Sequence, residues 1–258
     1  MIDAVIISGA GRGIGREIAL DFGKSGIPVV CISKSKNCEE TANAIRGTGG
    51  TAESIIVDIG DCKKTKEIMS NWVSKTPYKK LGVILAAAIL GPKGPITNIE
   101  LAEWDECHKI NILGNLAILN ALLPKMTGNS FGRIITFAGG GSAYAFPTFP
   151  AYSATKTAMV RITENINEDI KNKGDFAIVC LAPGAVETDM LKEVRSSGAE
   201  VRTVVSISET VAFAKEFINS SSCGFSGAFV HVRNNWRDYL NSNNQLKDDS
   251  FWKLRRIE

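Results

Sequence analysis

Ala4-Val-Ile-Ile-Ser-Gly-Ala-Gly-Arg-Gly-Ile-Gly15 is the stretch on which the fold turns. Its first half is short, apolar and largely β-branched, the composition of a strand buried on both faces of a parallel sheet. Glycines then interrupt it, Gly9, Gly13 and Gly15 setting the pattern, and Arg16-Glu-Ile-Ala-Leu-Asp-Phe22 sets Ile18, Ala19 and Phe22 at helical spacing before Gly23 and Gly26. A strand that turns through glycines into a helix builds an anion site. Absent side chains let the backbone approach a pyrophosphate, and the helix N-terminus meets its charge with amide groups. The spacing Gly-x-x-x-Gly-x-Gly differs from the commoner dinucleotide pattern Gly-x-Gly-x-x-Gly, but the physics is shared.

Outward from this turn the chain alternates apolar runs with helix-length segments. Strands are predicted near Ala4–Ser8, Pro28–Ile32, Ser54–Val57, Val83–Ala87, Arg133–Phe137, Ala177–Leu181 and Ala228–Val232. The pattern predicts one doubly wound, Rossmann-like α/β domain over residues 1–258, a seven-stranded parallel sheet with helices on both faces. A length of 258 residues and 44% hydrophobic content suffice for that core.

Tyr152 and Lys156 lie four residues apart in Ala151-Tyr-Ser-Ala-Thr-Lys156, on one face of a helix. An ammonium beside the phenol favours phenolate and lowers its pKa, which would make Tyr152 a general acid/base. The second strand ends in Ser33-Lys-Ser-Lys36. There the acid that would bind an adenosine ribose 2′-hydroxyl is missing, while a hydroxyl and cations could receive a 2′-phosphate. With Arg12 on the same side, Ser33 and Lys34 predict NADP(H) rather than NAD(H).

Taken in order, these elements resemble the short-chain dehydrogenase/reductase family over nearly the whole chain. The resemblance implies that Gly9, Arg12, Gly13, Ile14 and Gly15 cradle the cofactor phosphates, and that Asp58 contacts the adenine amino group. It further implies that Asn111, in Lys109-Ile-Asn-Ile-Leu-Gly114, orders a proton relay from Lys156. Pro183-Gly-Ala-Val-Glu-Thr188 is similar to the loop in which Val186 and Thr188 meet the nicotinamide carboxamide, with Pro183 and Gly184 leading into it. Lys156 would also bind the nicotinamide ribose.

Two departures from the family pattern bear on function. Where the family has Asn-Asn-Ala-Gly after its fourth strand, this chain reads Ala86-Ala-Ala-Ile89. Backbone contacts at Ala87 and Ala88 are expected to persist, with polar bracing and rigidity lost. The family's catalytic serine maps to Gly139, thirteen residues before Tyr152 and seven after Gly132. In Gly139-Gly-Gly-Ser142, the hydroxyl of Ser142 is the candidate replacement, with Tyr144 and Thr136 behind it, and the glycine amides could form an oxyanion-binding nest.

The expected activity is interconversion of a secondary alcohol and a ketone by hydride transfer, with Tyr152 protonating the carbonyl oxygen. The alternative is a cofactor-bound sensor or scaffold that lost turnover with the serine. Residues 188–206 fall in the family's variable substrate loop, where Met190-Leu-Lys-Glu-Val-Arg195 and Arg202 suit an apolar or an anionic molecule. The extension over 236–258 departs from the usual Gly-Gly ending and is similar to that of reductases from bacterial surface-polysaccharide gene clusters, which implies a sugar or sugar nucleotide. Trp236, Phe251 and Trp252 would anchor it on its own domain or border a substrate or partner subunit.

Thirty basic and 27 acidic residues leave a net charge of +3. Apart from Lys34-Ser-Lys36 and Arg255-Arg256 the cations are dispersed, so nucleic acid is not an expected partner. No cationic leader precedes the first strand, and the longest apolar run, around Val83–Leu90, is too short to span a bilayer, which predicts a cytoplasmic protein. Six cysteines without a Cys-x-x-Cys read as reduced thiols, and His108 and His231 lack metal-ligand spacing. The resemblance implies a homodimer or homotetramer paired through Leu101–Met126 and Tyr152–Lys173. Ala117, Leu119, Leu122, Leu123, Ala158, Met159, Ile162 and Ile166 would supply the apolar outer faces, and the tail from Phe251 to Ile257 further contacts.

Overall fold

A computed structural model describes residues 2–201, 204–246 and 252–254. The sequence alternation becomes β1 (Ala4–Ser8), α1 (Gly13–Lys24), β2 (Val29–Ser33), α2 (Asn37–Gly47), β3 (Ala52–Ile56), α3 (Cys62–Lys75) and β4 (Leu81–Leu85). It continues through α4 (Leu101–His108), a π-helical turn (Lys109–Gly114), α5 (Asn115–Gly128), β5 (Phe131–Phe137), α6 (Pro150–Ile170) and β6 (Asp175–Ala182). Then come β7 (Ala185–Val186), α7 (Asp189–Ser196), β8 (Val204–Val205), α8 (Ile207–Ile218) and β9 (Phe229–His231).

Seven parallel strands form one sheet in the order β3-β2-β1-β4-β5-β6-β9, as the sequence predicts. Successive side chains of a strand face opposite ways, and β1 uses both. Val5 and Ile7 join a core with Ile18 and Phe22 of α1, Ile45 of α2 and Phe213 of α8. Ala4 and Ile6 join a second core with Met69 of α3 and Ile118 and Leu122 of α5. The short parallel pair β7–β8, which the sequence pattern does not show, brackets α7.

The outer faces expected to pair two copies are in part consumed within the chain. Leu119 and Leu122 are buried in the second core, Met159 packs with Ile112 and Cys180, and Ala117 is buried as well. The reason is that α5 lies against both the sheet and α3, so its apolar residues all find partners at home. Leu123, Ala158, Ile162 and Ile166 are only half-buried. Leu254 packs on the same side of α6, where Arg161 Nη2 donates to its carbonyl at 2.8 Å. Half of the eight residues named for twofold pairing are thus buried within the chain, and the other half stay partly accessible.

The two described tryptophans of the extension anchor it at home. Trp236 is buried edge-on against Phe213, and its Nε1–H donates to Val232 O at 3.0 Å. Trp252 sits edge-on to Phe225 and Tyr239, and its carbonyl accepts from the Phe229 amide of β9 at 2.6 Å. Arg202, Phe251, Arg255, Arg256 and Ile257 lie outside the described residues.

Candidate active site

The order of the strands reverses between β1 and β4, and a cavity of about 780 Å³ opens at their C-terminal ends. Crevices at such switch points are where doubly wound folds take ligands. The glycine turn forms its floor, and each predicted glycine has a steric reason. Gly9 and Gly13 adopt φ of 70° and 56°. A Cβ on Gly9 would lie 2.9 Å from Ala87 Cα, and one on Gly15 would lie 2.5 Å from Gly9 O. Helix α1 then starts with no side-chain cap and no acid in its first turn. Bare amides in a cradle that side chains would fill suit a pyrophosphate.

Arg12, Ile14, Ser33, Lys34, Asp58, Ala87, Ala88 and Thr188 line the same crevice. The adenosine end differs from expectation in one respect: Lys34 Nζ and Asp58 Oδ2 form an ion pair at 2.8 Å. That contact, with the Gly60 amide at 3.0 Å, holds the Asp58 carboxyl below its ordinary pKa against the effect of burial. Ser33 Oγ donates to Ser35 O at 2.7 Å.

The bracing expected to be lost at Ala86–Ile89 is present, supplied by other elements. Ala87 N–H donates to Ser8 Oγ at 3.1 Å, Asn115 Nδ2 donates to Ala87 O at 2.9 Å, and Ser8 Oγ donates to Asn115 Oδ1 at 2.7 Å. One step along, Ile89 N–H donates to Asn111 Oδ1 at 2.8 Å while Asn111 Nδ2 donates to Ile89 O at 2.9 Å. Buried backbone groups need such partners. The π turn presents Asn111 to this segment and the first residue of α5 presents Asn115, and the turn packs so close to the β3–α3 connection that a Cβ on Gly114 would overlap Ile59 O.

Tyr152 and Lys156 are buried on α6 beside the crevice. Lys156 Nζ donates to Phe137 O at 3.1 Å and stands 5.6 Å from the centre of the Tyr152 ring. Asn111 reaches the pair indirectly: its Nδ2 donates to Thr155 Oγ1 at 3.0 Å, and Thr155 Oγ1 donates to Tyr152 O at 2.7 Å. Ser142 is buried, and its Oγ accepts from the Gly139 amide at 3.0 Å. A Cβ on Gly139 would overlap the Tyr152 hydroxyl, so the phenol occupies the space beside that glycine.

The electrostatics reverse one sequence expectation. Burial dominates at Tyr152 and raises its phenol above the ordinary value, so the hydroxyl carries its proton at neutral pH. The same burial lowers Lys156 to about 8. It raises the Cys31 thiol to about 12 and those of Cys107 and Cys180 to about 11.

These shifts predict a pH profile for stability. Unfolded thiols titrate near 9.0 while the buried ones hold their protons, so above pH 9 the unfolded state binds fewer protons and stability falls. Lys156 acts oppositely between about 8 and 10.5, where the folded state has already released its proton. Three thiols and the Tyr152 phenol outweigh one amine. Each group contributes a slope of up to about 1.4 kcal/mol per pH unit within its window. Urea midpoints should therefore drop steadily from pH 9 to 11, and less steeply in Cys31→Ala; a flat profile would contradict this balance.

A second cavity of about 350 Å³ has Tyr152 and Gly139 in its wall, with Pro183, Gly184 and Val186. It shares Ile14, Leu90, Thr188 and Met190 with the crevice, so the two spaces adjoin there, with Tyr152 in the wall of the smaller one. Thr188 also caps α7, its Oγ1 accepting from Leu191 N–H at 3.3 Å. The sequence reading did not reach Ser8, Asn115, Thr155 or the wall formed by Phe146, His231 and Asn234. Asn115, four residues beyond Asn111 on the same helical face, carried the one readable signal. Among the described residues, no group of His, Cys, Asp or Glu could hold a metal ion, and no helix is long and apolar enough to cross a membrane.

Residues 3–199 match the family model described as short chain dehydrogenase. Among curated proteins, the ketoacyl reductase HetN of Nostoc sp. is 28% identical over 218 residues, covering 81% of this chain and 74% of that protein. A short chain dehydrogenase from Salmonella enterica serovar Typhi superposes with a TM-score of 0.79 at 17% identity, covering 91% of this chain and 97% of the other. A 3-oxoacyl (acyl-carrier-protein) reductase from Agrobacterium tumefaciens C58, solved with NADP bound, gives 0.72 at 19% identity, covering 83% and 86%. At these identities the superpositions speak for the fold.

Proposed function

The chain belongs to the short-chain dehydrogenase family and is an oxidoreductase, and from that premise we propose that it reduces a ketone to a secondary alcohol, or runs the reverse reaction, with NADP(H). The observation that carries this reading is Tyr152 in the wall of the 350 Å³ cavity, which adjoins the 780 Å³ crevice through Ile14, Leu90, Thr188 and Met190. Bound in the crevice, NADPH would supply the hydride. Tyr152, loaded with its proton by burial, would donate to the carbonyl oxygen as charge develops there. Lys156 would hold the nicotinamide ribose, and its ammonium would favour the phenolate left behind. Asn111 and Thr155 would fix the helix backbone at Tyr152 and set the start of a proton path. Ser142 enters the proposal as the hydroxyl that positions Gly139 rather than as a second donor to the substrate.

A second reading, a cofactor-bound scaffold without turnover, has one observation in its favour: Gly139 leaves no room for a side chain beside the phenol. Following NADPH absorbance against simple ketones, keto-sugars and sugar nucleotides separates the two, since a scaffold leaves the absorbance unchanged.

The same assay tests cofactor choice. Arg12, Ser33 and Lys34 line the crevice where a 2′-phosphate would sit, and a phosphate must draw Lys34 away from Asp58. NADPH should bind tighter than NADH, and Lys34→Asp should shrink or reverse the preference by roughly tenfold, the lower range for a charge-assisted contact because this lysine is largely exposed. Equal affinities for the two cofactors in the unmutated protein would remove the NADP(H) assignment.

A further inference from the structure

The 350 Å³ cavity has a wall of its own opposite in character to the rest. Phe146, Met190, Val194 and Phe229 make it apolar, but β9 and the turn after it contribute His231 and Asn234. That turn is locked by its own hydrogen bonds. His231 N–H donates to Asn234 Oδ1 at 2.7 Å, Asn234 N–H donates to His231 O at 2.8 Å, and Arg233 N–H donates to His231 Nδ1 at 3.2 Å.

These bonds decide what the two side chains can offer. A nitrogen that accepts from an amide carries no proton, so in the neutral ring the proton is on Nε2. Burial, and then the Arg233 charge, lower the His231 pKa against the pull of Glu209, which favours the neutral ring. The Asn234 amide is oriented by the same logic: only its oxygen can accept the His231 amide, so the group left over is Nδ2–H₂. Both residues line the cavity, and each keeps a donor that the turn does not use, on a side chain held by the turn's own hydrogen bonds. Fixed donors in an apolar cavity select acceptors, because a ligand without an oxygen there would leave them dry and unsatisfied.

We propose that His231 and Asn234 form a recognition site for an oxygen acceptor on the substrate, a hydroxyl or carbonyl oxygen in addition to the reacting one. The inference rests on reading this cavity as the substrate side of the oxidoreductase. It assigns the substrate to oxygenated ketones, as against purely hydrocarbon ones.

Binding can be measured apart from turnover by titrating ketones into the complex with 2′-phospho-ADP-ribose, which lacks the nicotinamide and can neither reduce a ketone nor oxidise a hydroxyl, and following the protein by NMR. The probes are cyclohexanone, 3-hydroxycyclohexanone and 4-hydroxycyclohexanone. The better hydroxyketone should bind about three- to tenfold tighter than cyclohexanone, the worth of one neutral hydrogen bond. Asn234→Asp, which keeps the oxygen facing the His231 amide and replaces the donor, and His231→Leu should each erase much of that advantage while leaving cyclohexanone affinity and melting temperature near the unmutated values. His231→Gln, whose amide nitrogen stands in for Nε2, should restore part of it. Equal affinities for all three ketones in the unmutated protein, or an advantage that survives both variants, overturns the site. If the hydroxyketone is favoured but NADPH reduces none of the probes or the wider panel, the oxidoreductase reading of this chemistry fails while the recognition site stands.

Discussion

Tyr152→Phe is expected to lower kcat by about 10²–10⁴, the usual cost of removing a general acid/base, with NADPH affinity nearly unchanged. The variant removes one oxygen and keeps the ring. That ring packs with Leu90 and Phe149, and with Phe146, Met190 and Val194 around them, so phenylalanine should hold its place without a cavity. Loss of a hydroxyl whose proton burial has secured leaves the developing alkoxide without its donor. Cofactor titration and single-turnover reduction together read the effect. A Tyr152→Phe enzyme that reduces its substrate at the unmutated rate would end the mechanism.

The other large effect is expected at Gly139, and its direction is counterintuitive. Restoring the family's serine there should impair the enzyme. A Cβ at this position would overlap the Tyr152 hydroxyl and come within 3.0 Å of Cζ, so the phenol must move by something like an ångström. Displacement on that scale can cost about 10²-fold in rate, and crowding a packed site costs about 1–3 kcal/mol of stability. Gly139→Ala isolates the steric effect and Gly139→Ser adds a hydroxyl to it. Both should show kcat well below the unmutated value, with melting temperature reduced. A Gly139→Ser variant faster than the natural enzyme would mean that the tyrosine gives way freely and that the missing hydroxyl limits turnover.

What the sequence revealed of this molecule follows from the range of the interactions involved. The strands were legible because β-branched runs such as Ala4–Ile7 and Val29–Ile32 can be buried on both faces only in a covered parallel sheet. The glycine turn was legible because backbone geometry is local. Bracing of Ala87 was not, since Ser8 and Asn115 lie 79 and 28 residues from it and meet it only across β1, β4 and the π turn. Nor was the Lys34–Asp58 pair, which arises because β2 and β3 run side by side and end at the same height. For Tyr152, spacing on the helix placed the lysine correctly, but the sign of the pKa shift depended on burial, and a helical repeat does not report burial. On α5 the same limit applies. Leucines and alanines all round a helix read alike whether they meet a partner copy or an inner neighbour such as α3.

Strand β9 is three residues long, held by β6 on one side and by the carbonyl of Trp252 at its Phe229 amide. It carries none of the groups that move protons or hold the cofactor, and yet it ends in His231. Tyr152 and Lys156 ride instead on a helix of 21 residues set against β5 and β6. Under the proposed roles, reactivity and selectivity would be carried by separate lengths of chain with very different grips on the core. Drift in the extension could re-aim the selective wall, letting lineages diverge in what they reduce while inheriting the chemistry intact.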